Sequence, residues 1–370
     1  MVELWQGKSM KTIGKSKLNL ENQKVKAIFM AVLAAALYGL SSPFSKLLLV
    51  KIPPALMAAL LYLGAGLGMT IIFTILTLRK VDKVEAKITK HEMPFIFAMI
   101  GLDIAAPILL MFGLLQSEAA SVALLNNFEI VATALIALTI FKEGIGKRMW
   151  IAIGLITIAS ILLSISDLNH LTFSLGSLWV LLACVCWGFE NNCTRMLSIK
   201  DPLQIVIIKG IGSGLGSLLI WFLMKENTAE FIYILYALIL GFFAYGLSIF
   251  FYITAQRYLG ASRVSAYYAA APFIGVLISW IILKEGITST FLLALCIMII
   301  GAYLAISEVH KHTHYHPYEV HEHKHNHHDN HHNHTHDPEF DGEHSHSHAH
   351  DPVEHEHDHL PDIHHHHQHK

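Results

Sequence analysis

This sequence predicts an all-α integral membrane protein, with ten transmembrane helices set as two inverted five-helix repeats and a disordered His-rich C-terminal tail. Three observations predict it. Apolar residues make up 54% of the chain and Asp, Glu, Lys and Arg only 15%. Away from the two ends they gather into long stretches, each sufficient to cross ~30 Å of hydrocarbon as a helix. The stretch Ala31–Lys46, AVLAAALYGLSSPFSK, returns 149 residues later within WVLLACVCWGFENNCTR, so that Tyr38-Gly39 falls on Trp187-Gly188, Lys46 on Arg195 and Pro53 on Pro202. From Ser307 onward, thirteen acids and 25 of the 27 histidines crowd together and apolar periodicity ends.

Taken in order, residues 1–26 form a basic leader with six lysines against two glutamates, suited to anionic lipid headgroups; nothing points to nucleic acid. Spans are expected at 27–50, 54–78, 94–115, 119–141, 149–166, 175–197, 203–224, 231–254, 262–283 and 288–306. The first follows too long a leader, and runs too far past Ala34-Ala35-Ala36, to read as a cleaved signal, so it is taken as a retained helix. Pro53, Pro54, Pro94 and Pro202 sit at or near helix starts, where a missing N–H does no harm. Residues 27–166 make the first repeat, 167–174 a linker, 175–306 the second repeat and 307–370 the tail. Within the repeats, Gly64–Gly68 echoes Gly212–Gly216, and Phe141-Lys-Glu-Gly-Ile145 echoes Leu283-Lys-Glu-Gly-Ile287 at an offset of 142. Five spans per copy is odd, so the second copy enters the membrane from the opposite side, as in secondary carriers. With the N-terminus inside, eighteen Lys and Arg fall on one side and four on the other, which sets both termini in the cytoplasm and the chain in the cell (inner) membrane. Cys184, Cys186, Cys193 and Cys296 all lie in apolar stretches, so no disulfide framework is expected.

The five-plus-five plan, the aromatic–Gly…Lys/Arg helix and the Lys-Glu-Gly endings together resemble the EamA-type family of drug/metabolite transporters, over about Lys26–Ser307. The resemblance implies a central cavity reached alternately from each side, with metabolite export the commoner role. Family members typically place Pro in the fourth helix of each repeat, often after Asn-x-Glu. The second copy keeps Pro272, but the first reads Asn127-Phe-Glu-Ile130, which implies unequal bending and asymmetric gates.

Ionisable groups inside spans are costly to desolvate and default to function. Glu129, about ten residues into its span with Asn126 and Asn127 just before it, is the leading candidate for substrate contact or proton exchange. The plain alternative is a helix-packing carboxylate. Asp103 lies midway through the third span, and its repeat counterpart is Tyr245. Glu190 is read either as a site carboxylate or as a local partner of Thr194 or Arg195, and Lys209 as a partner of Glu190 or Asp103. Lys46 and Arg195 either snorkel to headgroups or, facing the cavity, attract a carboxylate or phosphate. Tyr38 and Trp187 line or plug the cavity, or simply pack. Glu143 and Glu285 read as helix-end contacts or hinges. The glycine patterns are close-approach faces, within the bundle first and at a homodimer seam second.

In the tail, His321, His323, His325, His327, His328, His331, His332, His344, His346 and His348 are candidate ligands for Zn, Ni, Co or Cu, with interleaved acids adding charge. His91 and His170 are the histidines outside it, and with no nucleophile–base pairing or phosphate loop no enzyme chemistry is expected. The leading expectation is therefore a secondary transporter of a small polar metabolite, exporting it with or without protons. Two alternatives stand beside it: a carrier of a divalent metal or metal chelate loaded by the tail, and a membrane-anchored metal buffer without transport. No cofactor is required by the first.

Overall fold

The computed structural model describes residues 24–79, 90–140, 145–167, 172–197, 200–259, 264, 267–307, 311–316, 319–325, 344–350 and 353–358. We number the helices α1 (Lys24–Leu48), α2 (Pro54–Leu78), α3 (Met93–Gln116), α4 (Ala119–Thr139), α5 (Lys147–Ser164), α6 (Leu175–Met196), α7 (Pro202–Met224), α8 (Phe231–Gly241, continued by Phe242–Leu247 and Ser248–Leu259), α9 (Ala271–Leu283) and α10 (Ser289–Ile306). Eight of these are long and apolar enough to cross a membrane. The others are α6, whose Glu190, Asn191, Asn192 and Arg195 make it the most polar of the long helices, and α9, a shorter apolar helix of 13 residues. The expected 167–174 linker holds part of a small hairpin, Ile165–Asp167 paired antiparallel with Thr172–Phe173.

Helix starts follow local chemistry. Asp201 caps α7 by accepting from the Leu203 amide at 2.9 Å, and Thr288 caps α10 by accepting from Phe291 at 3.1 Å. The ends of α7 and α9 share a device. Each stops on a lysine in the left-handed region, Lys225 and Lys284, both at φ 53°. The glutamate that follows turns back onto the bare amides of another helix. Glu226 accepts from Ala55 and Leu56 at the start of α2, at 3.0 and 3.3 Å, and Glu285 accepts from Ala119 and Ala120 at the start of α4, at 2.6 and 2.8 Å.

Close helix approach rests on glycine. A Cβ added to Gly66 in α2 would fall 2.6 Å from the Ile211 nitrogen in α7, and one on Gly64 would strike the Leu238 carbonyl of α8. Gly212 and Gly216 meet Ile100 and Ile104 of α3, and Gly214 meets Leu63 of α2. Both glycine patterns are thus consumed inside the bundle and are not free to form a dimer seam. The packed pairs include α2 with α7, α3 with α6, α1 with α8, α4 with α9, and α5 with α10.

Two helices are interrupted at matching places. In α4 the break falls at Asn126–Asn127, between Ala119–Leu125 and Phe128–Thr139; a second turn at Ala269–Ala270, 143 residues on, one place off the repeat offset of 142, precedes α9. Here the expectation of unequal bending is corrected, because α4 breaks without proline. Asn127 Nδ2 donates to the Leu124 carbonyl at 3.1 Å, and Cys184 Sγ lies 3.7 Å from the Leu125 carbonyl, so side chains take up acceptors that the helix gives away. At the second site Pro272, at the start of α9, does the same work by removing a donor. Farther back in the same half, Phe242–Leu247 winds as a π-helix and carries Tyr245.

In the tail the described segments are two strand pairs. Lys311–His316 pairs antiparallel with Val353–Asp358, and Glu319–His325 with His344–His350. Alternating His-x-His has the period of a strand, which is why this composition can be drawn into ladders. His327, His328, His331 and His332 lie outside the described residues, as do Glu143 and His170.

Candidate functional site

The buried polar groups assemble into two walls. One is charged and comes from α3, α4, α6 and α7. Lys209 Nζ stands 3.1 Å from Asp103 Oδ2 and 2.9 Å from Glu190 Oε1, and all three side chains are at most 9% exposed. Burying three charges is tolerable only because one ammonium faces two carboxylates and further hydrogen bonds complete the set. Thr194, a turn beyond Glu190, donates to its carboxylate. Next along, Asn191 Nδ2 donates to Glu129 Oε1 at 2.5 Å, and Asn192 Nδ2 donates to the carbonyls of Gly188 and Thr133. Because Asn191 follows Glu190 on α6, its bond ties the Glu129 carboxylate to the Lys209 cluster. Glu129 and Asn191 stay partly exposed although their helices are packed together.

The other wall is tyrosine, from α1, α2, α8 and the turn before α9. Tyr62 and Tyr245 have ring centroids 5.3 Å apart, Tyr245 and Tyr38 5.9 Å, Tyr38 and Tyr268 5.6 Å, and Tyr268 and Tyr252 4.8 Å. Ser41 donates to the Tyr245 hydroxyl at 3.1 Å, and Ser248 holds α8 to α1 through the Ala34 carbonyl at 2.9 Å. The hydrogen bond from the Tyr62 hydroxyl to Asp103 Oδ1, at 2.8 Å, joins one wall to the other.

Of the residues singled out in the sequence, Asp103, Glu129, Glu190 and Lys209 come together, with Asn126 and Asn127 at the break just before Glu129 and Tyr38 in the facing wall. Trp187 is buried in the main apolar core. Lys46 stands apart: its ammonium donates to the carbonyls of Leu114 and Ser117, where α3 ends. Arg195 sits in the last turn of α6. Tyr62, Tyr252 and Tyr268 were not singled out, because an aromatic in an apolar helix carries no mark of what it faces. Among the described residues no three His, Cys, Asp or Glu side chains converge to hold a metal ion.

A bundle of membrane-length helices around buried charges is the architecture of an integral membrane protein. The chain belongs to the EamA-like transporter family, whose model matches residues 25–165 and 174–307. It is similar to an uncharacterized transporter of Methanothermobacter thermautotrophicus, 25% identical over 289 residues, which cover 74% of this chain and 84% of the relative. A solved crystal structure, 16% identical, aligns over 76% of this chain and 95% of its own with a TM-score of 0.55, a likeness of fold alone.

Proposed function

We propose that this protein is a secondary carrier working by alternating access. In this reading ten spans form two inverted repeats, with both termini on the cytoplasmic side of the cell membrane, and a small polar metabolite is moved outward. The observation that carries it is the meeting of Asp103, Glu190, Glu129 and Lys209 beside an interrupted helix. Broken helices and buried ionisable groups at one depth are what a solute site within a bilayer requires. Packing supports the repeats: exchanging each helix for the one five places on turns α3–α6 into α8–α1 and returns α2–α7, α4–α9 and α5–α10 to themselves. Glu129, the partly exposed carboxylate of the charged wall, is the group assigned to proton exchange with the solute.

The test is flux in proteoliposomes carrying the full chain, with candidate amino acids and amines and with a pH gradient on or off. Glu129→Gln keeps the oxygen that accepts from Asn191, so the fold should persist while coupled flux falls by roughly tenfold or more. Flux unchanged in that variant would remove Glu129 from the transport path.

A second reading concerns the tail. The backbone register sets His321 opposite His348, His323 opposite His346, and His325 opposite His344, a spacing at which cross-strand imidazoles suit Zn, Ni, Co or Cu. In this reading metal at the tail loads or regulates the carrier. Metal titration of the full chain, followed by the same flux assay, separates regulation from incidental binding.

A further inference from the structure

We infer that the solute recognised between the two walls is an organic cation bearing an ammonium group. This rests on the carrier reading above and narrows its cargo.

Three features of the site ask for the same chemistry. The first is charge. Asp103 and Glu190 meet Lys209, and Glu129 joins them through Asn191, the residue after Glu190 on α6. With Asp103 and Glu190 already holding that ammonium, Glu129 is left with an asparagine amide for a partner. The second is the character of the unmet hydrogen bonds. Asn126, Asn127 and Asn192 are 7%, 2% and 1% exposed, and each leaves its carbonyl oxygen without a donor. For Asn127 and Asn192 the orientation is forced: the Nδ2 of each faces backbone carbonyls, Leu124 for one and Gly188 and Thr133 for the other, so the oxygen must be the atom left over. What is missing around Glu129 is therefore donors, not acceptors. An ammonium supplies up to three of them with a positive charge.

The third feature is the facing wall. Tyr62, bonded to Asp103, begins a run of rings through Tyr245 and Tyr38 to Tyr268, so the charged cluster is flanked by tyrosine. A cation held between a carboxylate and tyrosine faces gains from both. A divalent metal would need several converging carboxylates or imidazoles, which the described residues do not offer here. A carboxylate or phosphate solute would meet the surplus acids head-on, and Lys46, the cation otherwise suited to it, is spent on the end of α3.

The experiment is equilibrium binding to the purified full chain in detergent micelles, with 1,4-diaminobutane and succinate as probes of equal length and opposite charge. The expected result is saturable diamine binding that weakens roughly tenfold or more in Glu129→Gln and recovers in Glu129→Asp, with no succinate binding. The acidic tail is identical in all three proteins, so its own affinity for diamine cancels. Succinate binding, or diamine affinity equal in wild type and Glu129→Gln, overturns the inference. Should the variants fail to fold, wild type decides in magnesium sufficient to saturate the acidic tail: thermal stabilisation by diamine and not succinate supports it, and the reverse overturns it. Diamine binding at Glu129 without flux in proteoliposomes supports the cation site while removing the carrier reading. Flux of a neutral or anionic solute that depends on Glu129 keeps the carrier and removes the cation.

Discussion

The two walls of the site make an instructive comparison. The charged wall draws on α3, α4, α6 and α7, and the tyrosine wall on α8, α1, α2 and the turn before α9. At the offsets of 142 and 149 read in the sequence, several positions of the charged wall fall on residues of opposite character. Asp103 corresponds to Tyr245, Asn126 to Tyr268, Asn127 to Ala269, Glu129 to Ala271 and Glu190 to Ser41. Similar backbones have thus been given opposite side-chain chemistry. One wall holds nearly all the charge and the other holds polarisable rings. What the difference teaches is that the charge of the site is concentrated on one set of helices and the aromatic surface on another.

Breaking the charged wall should have the largest effect. Lys209→Met leaves Asp103 and Glu190 buried without their cation, an uncompensated charge worth on the order of 3–5 kcal/mol. Thermal melts of the purified protein should show a large drop, partly restored when Asp103→Asn is added. A melt unchanged in the single variant would mean that the two acids do not rely on Lys209. The link between the walls comes next. Tyr62→Phe keeps the ring against Tyr245 and removes the hydrogen bond to Asp103, for a loss of about 1–3 kcal/mol. The same substitution at Tyr252, which lies at the other end of the ring series, should cost less by the same melt.

The smallest effect lies outside both walls and sharpens the contrast with them. Partial burial pushes the Glu226 carboxyl above its ordinary range, against the pull of the Leu56 and Ala55 amides. A carboxyl raised in the folded chain binds its proton more tightly there than when unfolded. Its contribution is full below the ordinary glutamate value and is lost as pH rises through the raised one. The melting temperature of wild type, relative to Glu226→Gln, should therefore decline slightly from about pH 4 to about pH 6. A rise over that interval would show that ionised Glu226 gains more from the amides of α2 than burial costs it.

Much of the charged wall was legible beforehand, because an acid or a lysine in an apolar helix is conspicuous. Asp103, Glu129, Glu190 and Lys209 stand out on that ground alone, and Tyr38 through its place in the duplicated stretch. The tyrosine wall was not. Tyr62 and Tyr268 sit among Leu, Ala and other aromatics, and only three-dimensional packing distinguishes a ring that faces the centre from one that faces lipid. The break in α4 was hidden for a different reason. Proline is the residue that announces a helix break in sequence, and Ile130 stands in its place; asparagine side chains and a cysteine from α6 complete the job from a distance. The glutamates after α7 and α9 show the intermediate case. Glu285 could be read as a helix-end contact, but the helix it contacts is more than 160 residues away.

That contact has a mechanical consequence. The seven-residue piece Ala119–Leu125 is pinned at its head by Glu285 and released from the rest of α4 at its foot by the turn at Asn126–Asn127. It is a lever only ~10 Å long. Six of its seven residues are buried against protein, so it can tilt without dragging a helix surface through lipid. A motion confined to this piece would move a third of a helix, and the viscosity of the surrounding membrane should have little hold on its rate.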